Sequence, residues 1–213
     1  MAHGQPPLRG VDVSVYQGTV DWGQVFASGK SFAIMKASEG VSGVDAQFAA
    51  NWSGSAAHGL IRGAYHFFRP QDDPDAQARH FLAQVQPGPD DLPPIVDVEL
   101  SEGVRAPVLL QRLGAMLTAL EAATNRLPMI YTIAGFWNGL GAPQAFSRYP
   151  LWVANFGASA PAIPSPWQTY AIWQYADDGS VRGISGSVDL NVAQATTADE
   201  LRAIGAKSAA GAA

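Results

Sequence analysis

"LPPIVDVEL", residues 92–100, is an apolar run broken by two acids, Asp97 and Glu99, spaced two apart. In a strand, successive side chains point to opposite faces. Val96, Val98 and Leu100 then share one face, and Asp97 and Glu99 share the other. Two unpaired acids inside a fold are costly unless they are hydrogen-bonded or used. The opening stretch "RGVDVSVY" (9–16) alternates in the same way, with Asp12, Ser14 and Tyr16 opposite Val11, Val13 and Val15. A layout with apolar side chains meeting helices and acids turned to an interior is that of a barrel of strands wrapped by helices.

The rest of the chain fits that reading. Strand-like runs also occur at "FAIMKAS", "IRGAYHFF", "PMIYTIA", "YPLWVANF", "TYAIWQYA" and "VDLNVA", giving eight in all, the number that closes a βα barrel. Helical patterns follow most of the early strands: "DWGQVFASGK", "DAQFAANWSGSAAHG", "DPDAQARHFLAQV", the stretch from Val104 to Arg126, and finally "TADELRAIGAK". Between the sixth, seventh and eighth strands the helices disappear. "GASAPAIPSPWQ" is a proline-rich loop, and "DDGSVRGISG" is short enough to make the last two strands an antiparallel hairpin. The expected fold class is therefore α/β, an irregular (β/α)8 TIM-like barrel over residues 9–206, with flexible segments at 1–8 and 207–213.

Composition narrows the function. The 213 residues are 47% hydrophobic and 15% charged, which suits one larger globular domain. Lys+Arg is 13 against Asp+Glu 18, a net charge of -5, so nucleic acid and anionic lipid are poor partners. A neutral, polyhydroxylated partner fits better. With no cysteine, thiolate metal sites and cysteine nucleophiles are excluded. No H-E-x-x-H, G-x-S-x-G, G-x-x-x-x-G-K-[ST] or G-x-G-x-x-G occurs, so neither metal nor cofactor is expected. The N-terminal residues lack the apolar core of a signal peptide, and the most apolar stretch is broken by Gln111, Arg112 and Glu121. A soluble monomer without membrane insertion is expected.

Further polar and aromatic residues fall late in their strands: Tyr65, His66, Tyr131, Trp152, Trp173, Gln174, Asp189 and Asn191. The C-terminal strand ends of a βα barrel form its active-site face, so these residues can converge. Carboxylates ringed by aromatic side chains suit carbohydrate chemistry, because rings stack on the C–H faces of sugars while paired acids handle the glycosidic oxygen. Each residue also has a plainer reading. A histidine beside aromatics is often a hydrogen-bonded core residue, large aromatics such as Trp22, Trp52 and Trp137 fill cores, and Glu39 fits an ion pair with Lys36 or Arg62.

The blocks "GVDVSVYQGTVDW", "MKASEG", "RGAYHFF", "IVDVEL", "LWVANF", "IWQYADDG" and "VDLNV" resemble, in order, those of the glycoside hydrolase family 25 lysozymes, the Chalaropsis-type muramidases. The resemblance covers roughly residues 9–205. It implies hydrolysis of the β-1,4 bond between N-acetylmuramic acid and N-acetylglucosamine in peptidoglycan, with the bacterial cell wall as the place of action. Carried over, Glu99 is the general acid, and Asp97, Asp12 and Asp189 are the other catalytic acids. Tyr65, His66, Tyr131, Trp152, Trp173, Gln174, Tyr16 and Asn191 would bind the glycan strand.

The mechanism stays open at this level. Cα atoms two apart on a strand lie roughly 6.6 Å apart at about 3.3 Å per residue, and rotamers move the carboxyls either way. Spacing therefore does not separate inversion from retention. The D-x-E pattern is similar to that of families in which the substrate's acetamido group attacks the anomeric carbon, which favours Asp97 as its orienting group. Two other functions compete: a non-catalytic glycan-binding barrel, and a glycosidase acting on chitin-like polymers.

Overall fold

The computed structural model describes residues 5–207; His3 and the last six residues of the expected tail lie outside them. The strands are β1 (Arg9–Val13), β2 (Phe32–Glu39), β3 (Gly43–Val44), β4 (Ile61–Phe67), β5 (Ile95–Asp97), β6 (Met129–Ile133), β7 (Leu151–Ala154), β8 (Ile172–Gly179) and β9 (Val188–Ala193). Six helices accompany them: α1 (Trp22–Ala27), α2 (Phe48–Ala57), α3 (Pro74–Gln84), α4 (Ala106–Thr124), α5 (Ala134–Gly139) and α6 (Ala198–Arg202). The sheet runs β1-β9-β8-β7-β6-β5-β4-β2 and closes through β1–β2 pairing, with β3 a short appendage on β2. Each of the eight expected strands is present. β9 is antiparallel to both β8 and β1, as the short 177–186 connection requires, while the remaining barrel pairs are parallel.

Strand alternation sorts the core into two parts. Outward residues such as Val11, Val13, Met35, Val96, Ile130 and Val153 meet the helices, while inward Phe32, Ile34, Ile95, Met129, Trp152 and Ile172 plug the barrel. Burial of each such aliphatic side chain stabilises by about 1.5–3 kcal/mol. Glycine makes room for the plug at Gly10, where an added Cβ would lie 2.4 Å from the Phe32 ring. α4 docks through Leu109, Leu113, Met116, Leu117 and Leu120, all buried, which is the spacing of one helix face. α3 begins where Asp73 accepts a bond from Ala76 N–H, with Pro74 at the first helical position.

Three expectations need correction. The first strand stops at Val13: Ser14 caps a 3-10 turn over Val15–Gln17, its own N–H donating to Gln17 Oε1 at 2.9 Å. Tyr16 therefore lies on a turn and is 88% exposed. The fourth strand ends at Asp97, so Glu99 follows it on the exit loop. Val15 and Leu100, expected to meet helices, are 44% and 43% exposed because both lie beyond their strands. The unforeseen α5 is too short and too glycine-rich to show a period; buried Trp137 fixes it, packed 4.7 Å from Trp167 of the proline-rich loop. That loop covers the barrel wall where a helix is missing. Leu8 is hydrogen-bonded through its backbone to Ala193 and Ala195. Asn51, which begins an N-x-S sequence, is buried inside α2.

Candidate active site

A cavity of about 430 Å³ opens at the C-terminal end of the parallel strands. Asp12 reaches it from β1, Asp97 from the last position of β5, Glu99 from the following loop and Asp189 from the start of β9, so all four acids line one space. Tyr65, Tyr131, Trp152, Gln174 and Tyr16 also line it. The Tyr131 and Trp152 rings meet edge to face at 4.5 Å, and Tyr65 stands 6.3 Å from Trp152. Together they form an aromatic floor beneath the acids.

A chain of hydrogen bonds holds the Asp12 carboxyl in place. Trp152 Nε1 donates to Asn191 Oδ1 at 2.8 Å, which turns the Asn191 amide toward Asp12 Oδ2 at 2.6 Å. Tyr131 Oη donates to Gln174 Oε1 at 2.8 Å, and Gln174 Nε2 then donates to Asp12 at 2.9 Å and to Asp189 at 3.2 Å. Burial pushes the Asp12 carboxyl up, opposed by these donors. Burial and the nearby Asp12 charge also raise Asp189. Two well-placed amide donors favour the ionised form of Asp12, whereas Asp189 receives only one of them.

Asp97 has a different environment. It is buried, and its Oδ1 has no hydrogen-bond partner. Burial, then the charge of Glu99, holds its carboxyl well above the usual range, against the pull of Lys36. Glu99, half-buried, is raised by burial and again opposed by Lys36. Lys36 is in turn held by Glu39 at 2.5 Å. The expected Lys36–Glu39 pair is present, but the second cation is Arg69, which bridges Glu39 and Glu102; Arg62 pairs with Asp91 at 2.8 Å instead.

Three expected sugar-binding residues do not reach the cavity. His66 is fully buried on the outer face of β4, where Nδ1 meets Ser38 Oγ at 2.9 Å and Nε2 meets Gln77 Oε1 at 3.1 Å. Burial holds its pKa down at about 4, so it is neutral. Its neighbour Tyr65 points inward, and adjacent strand residues cannot share a face. By the same parity Gln174 is inward and Trp173 outward, its Nε1 donating to Asn155 O at 2.9 Å. Asn191 is inward but fully buried in the layer below the acids. Conversely, Lys36, Glu39, Phe67, Arg69, Phe156 and Asp177 line the cavity without having been assigned to it. Lys36 was readable, since it follows Phe32 and Ile34 on the inward face of β2; Arg69 and Phe156 lie beyond strand ends, where period gives no direction. Among the described residues no group of three His, Asp or Glu side chains is placed to hold a metal ion.

A barrel whose mouth gathers four raised carboxyls over a floor of aromatic rings has the equipment of a glycoside hydrolase. The model of the glycosyl hydrolases family 25 matches residues 11–184. Lysozyme M1 of Streptomyces globisporus is 37% identical over 201 residues, covering 86% of this chain and 67% of that protein. The N,O-diacetylmuramidase of Chalaropsis sp. is 35% identical over 203 residues, covering 85% of this chain and 96% of its own. Among solved structures, the bacterial lysozyme from Streptomyces coelicolor superposes with a TM-score of 0.89 at 35% identity, covering 94% of this chain and 98% of its own. The chain belongs to glycosyl hydrolases family 25 and is a glycoside hydrolase.

Proposed function

We propose that this chain is a lysozyme, an N-acetylmuramidase that hydrolyses the β-1,4 bond between N-acetylmuramic acid and N-acetylglucosamine in bacterial peptidoglycan. Residues 9–206 form the catalytic unit, which works as a monomer on glycan strands of the cell wall, reached by secretion, from the periplasm or on release by a phage. The observation that carries the reading is the unpaired Oδ1 of Asp97, buried beside Glu99 in the cavity. A buried carboxyl oxygen without a donor carries a free-energy cost. The N–H of a 2-acetamido group supplies that donor, and both sugars of peptidoglycan carry one.

Glu99 gives its proton to the glycosidic oxygen as the bond to the anomeric carbon breaks. The acetamido oxygen attacks that carbon, and Asp97 accepts a hydrogen bond from the acetamido N–H as positive charge develops. Water then opens the cyclic intermediate, returning its proton to the Glu99 carboxylate. Asp12, in the ionised form that the Asn191 and Gln174 amides favour, counters the charge on the sugar ring. Two displacements at one carbon give net retention. The test is proton NMR of a defined oligosaccharide during cleavage: the β-anomer must form first, and an α-anomer as first product rules this mechanism out. A substrate with a free amine at the cleaved residue should be cut at least about tenfold more slowly.

A further inference from the structure

Beside the catalytic cavity lies a second one of about 610 Å³, lined by Phe156, Gly157, Ala158, Tyr175, Asp177 and Asp178. Phe156 and Asp177 line both, so the two spaces adjoin across that ridge. Phe156 is 42% exposed, and neither the fold nor the chemistry above uses it. Its backbone is nevertheless firmly placed. Asn155 N–H donates to Gln174 O at 3.1 Å and Gly157 N–H to Tyr175 O at 3.2 Å, tying this exit loop to β8. The Asn155 side chain accepts from Ala162 N–H at 2.9 Å, and its carbonyl accepts from Trp173 Nε1 at 2.9 Å. Trp173 also braces the Tyr175 ring edge to face at 5.9 Å, while Arg9 Nη1 donates to the Tyr175 hydroxyl at 3.3 Å. An exposed aromatic ring thus stands on a well-anchored backbone beside a cavity that is also lined by two exposed carboxylates, Asp177 and Asp178.

We propose that this second cavity is a distal subsite for a further N-acetylhexosamine ring of the bound strand, with Phe156 as its stacking platform and Asp177 and Asp178 accepting hydrogen bonds from sugar hydroxyl or amide groups. The inference rests on the lysozyme reading. Aromatic faces match the C–H face of a pyranose. Ionised carboxylates only accept, and a sugar ring offers hydroxyl and amide donors. The carboxylates of a peptide stem would be repelled. Trp173 acts here as a support behind the subsite.

The experiment compares kcat/KM on a tetrasaccharide and an octasaccharide of alternating N-acetylglucosamine and N-acetylmuramic acid, both free of peptide. In Phe156→Ala the octasaccharide-to-tetrasaccharide ratio should fall about tenfold, and in Asp178→Asn about threefold. An unchanged ratio in both variants overturns the subsite, whether the individual values hold or fall together, as misfolding or damage to the catalytic cavity would produce. A ratio that falls only when peptide stems are attached makes the occupant peptide and overturns the sugar assignment. Wild-type protein that cuts neither oligomer defeats the lysozyme reading itself, and this one with it; wild-type cleavage of both with an unchanged variant ratio defeats only the subsite.

Discussion

Replacing Asn191 by leucine tests how the fold holds Asp12. The side chains are similar in volume, so the change removes hydrogen bonds without opening a large cavity. It takes away the 2.6 Å amide bond to Asp12, a charge-assisted contact worth about 1.5–3 kcal/mol. It also strands the Trp152 indole N–H, whose acceptor at 2.8 Å is Asn191, at a further cost of about 1–3 kcal/mol. The expected loss is about 2.5–6 kcal/mol, a large share of the ~5–15 kcal/mol of a typical domain. Urea unfolding followed by tryptophan fluorescence should show it as a midpoint lowered by roughly 1–3 M, taking a slope of about 2–3 kcal/mol/M. Adding Trp152→Phe removes the stranded donor and should restore about 1–3 kcal/mol of the hydrogen-bond part in a double-mutant cycle. The pH sense is fixed as well. The amide favours ionised Asp12, so its removal raises that carboxyl further, and the gap between wild type and variant widens as pH rises through the Asp12 titration. A loss below about 1 kcal/mol, or a gap that widens toward acid pH, refutes the reasoning.

Asp97 has a folded-state carboxyl raised by burial, so the unfolded chain gives up this proton first and ionisation of Asp97 lowers stability as pH climbs above the ordinary carboxylate range. Asp97→Asn should therefore raise the Tm more at pH 8 than at pH 4 in thermal scans, while peptidoglycan turnover drops by about 10²–10⁴-fold. Arg62→Met removes the two-point contact to Asp91 (2.8 and 3.1 Å) and the stacking on Trp52 at 4.1 Å; denaturant titration should give a loss of about 2–4 kcal/mol, with kcat nearly unchanged because this pair is remote from the cavity. Gly10→Ala drives a methyl into the Phe32 ring and should cost about 1–3 kcal/mol, largely recovered in Gly10→Ala/Phe32→Leu by the same titration.

Much of this architecture was legible because it rests on period and parity. Val11 and Val13, Val96 and Val98, and the face of α4 fell where alternation and helical spacing put them, and Asp12, Asp97 and Asp189 share the inward face with the plug residues. Parity also held the answer for His66 and Trp173, since their neighbours Tyr65 and Gln174 point inward; grouping aromatics by late position in the strand obscured it. Asn191 shows a different limit. Its face was right but its depth was not, because depth depends on how strands stagger around the barrel. Tyr16, Glu99, Arg69 and Phe156 lie just past strand ends, where loop geometry and tertiary contacts set direction, and a local pattern carries no such information. β3 and α5 are too short to leave a period.

The central claim is that Glu99 protonates the bond on the reducing side of N-acetylmuramic acid. Its most direct test digests purified peptidoglycan with wild type and Glu99→Gln, reduces the new ends with borohydride and identifies them by mass spectrometry. The account predicts reduced muramic acid with the wild type and essentially none with a folded Glu99→Gln variant. Reduced glucosamine ends, or muramic acid ends produced equally fast by the variant, contradict it.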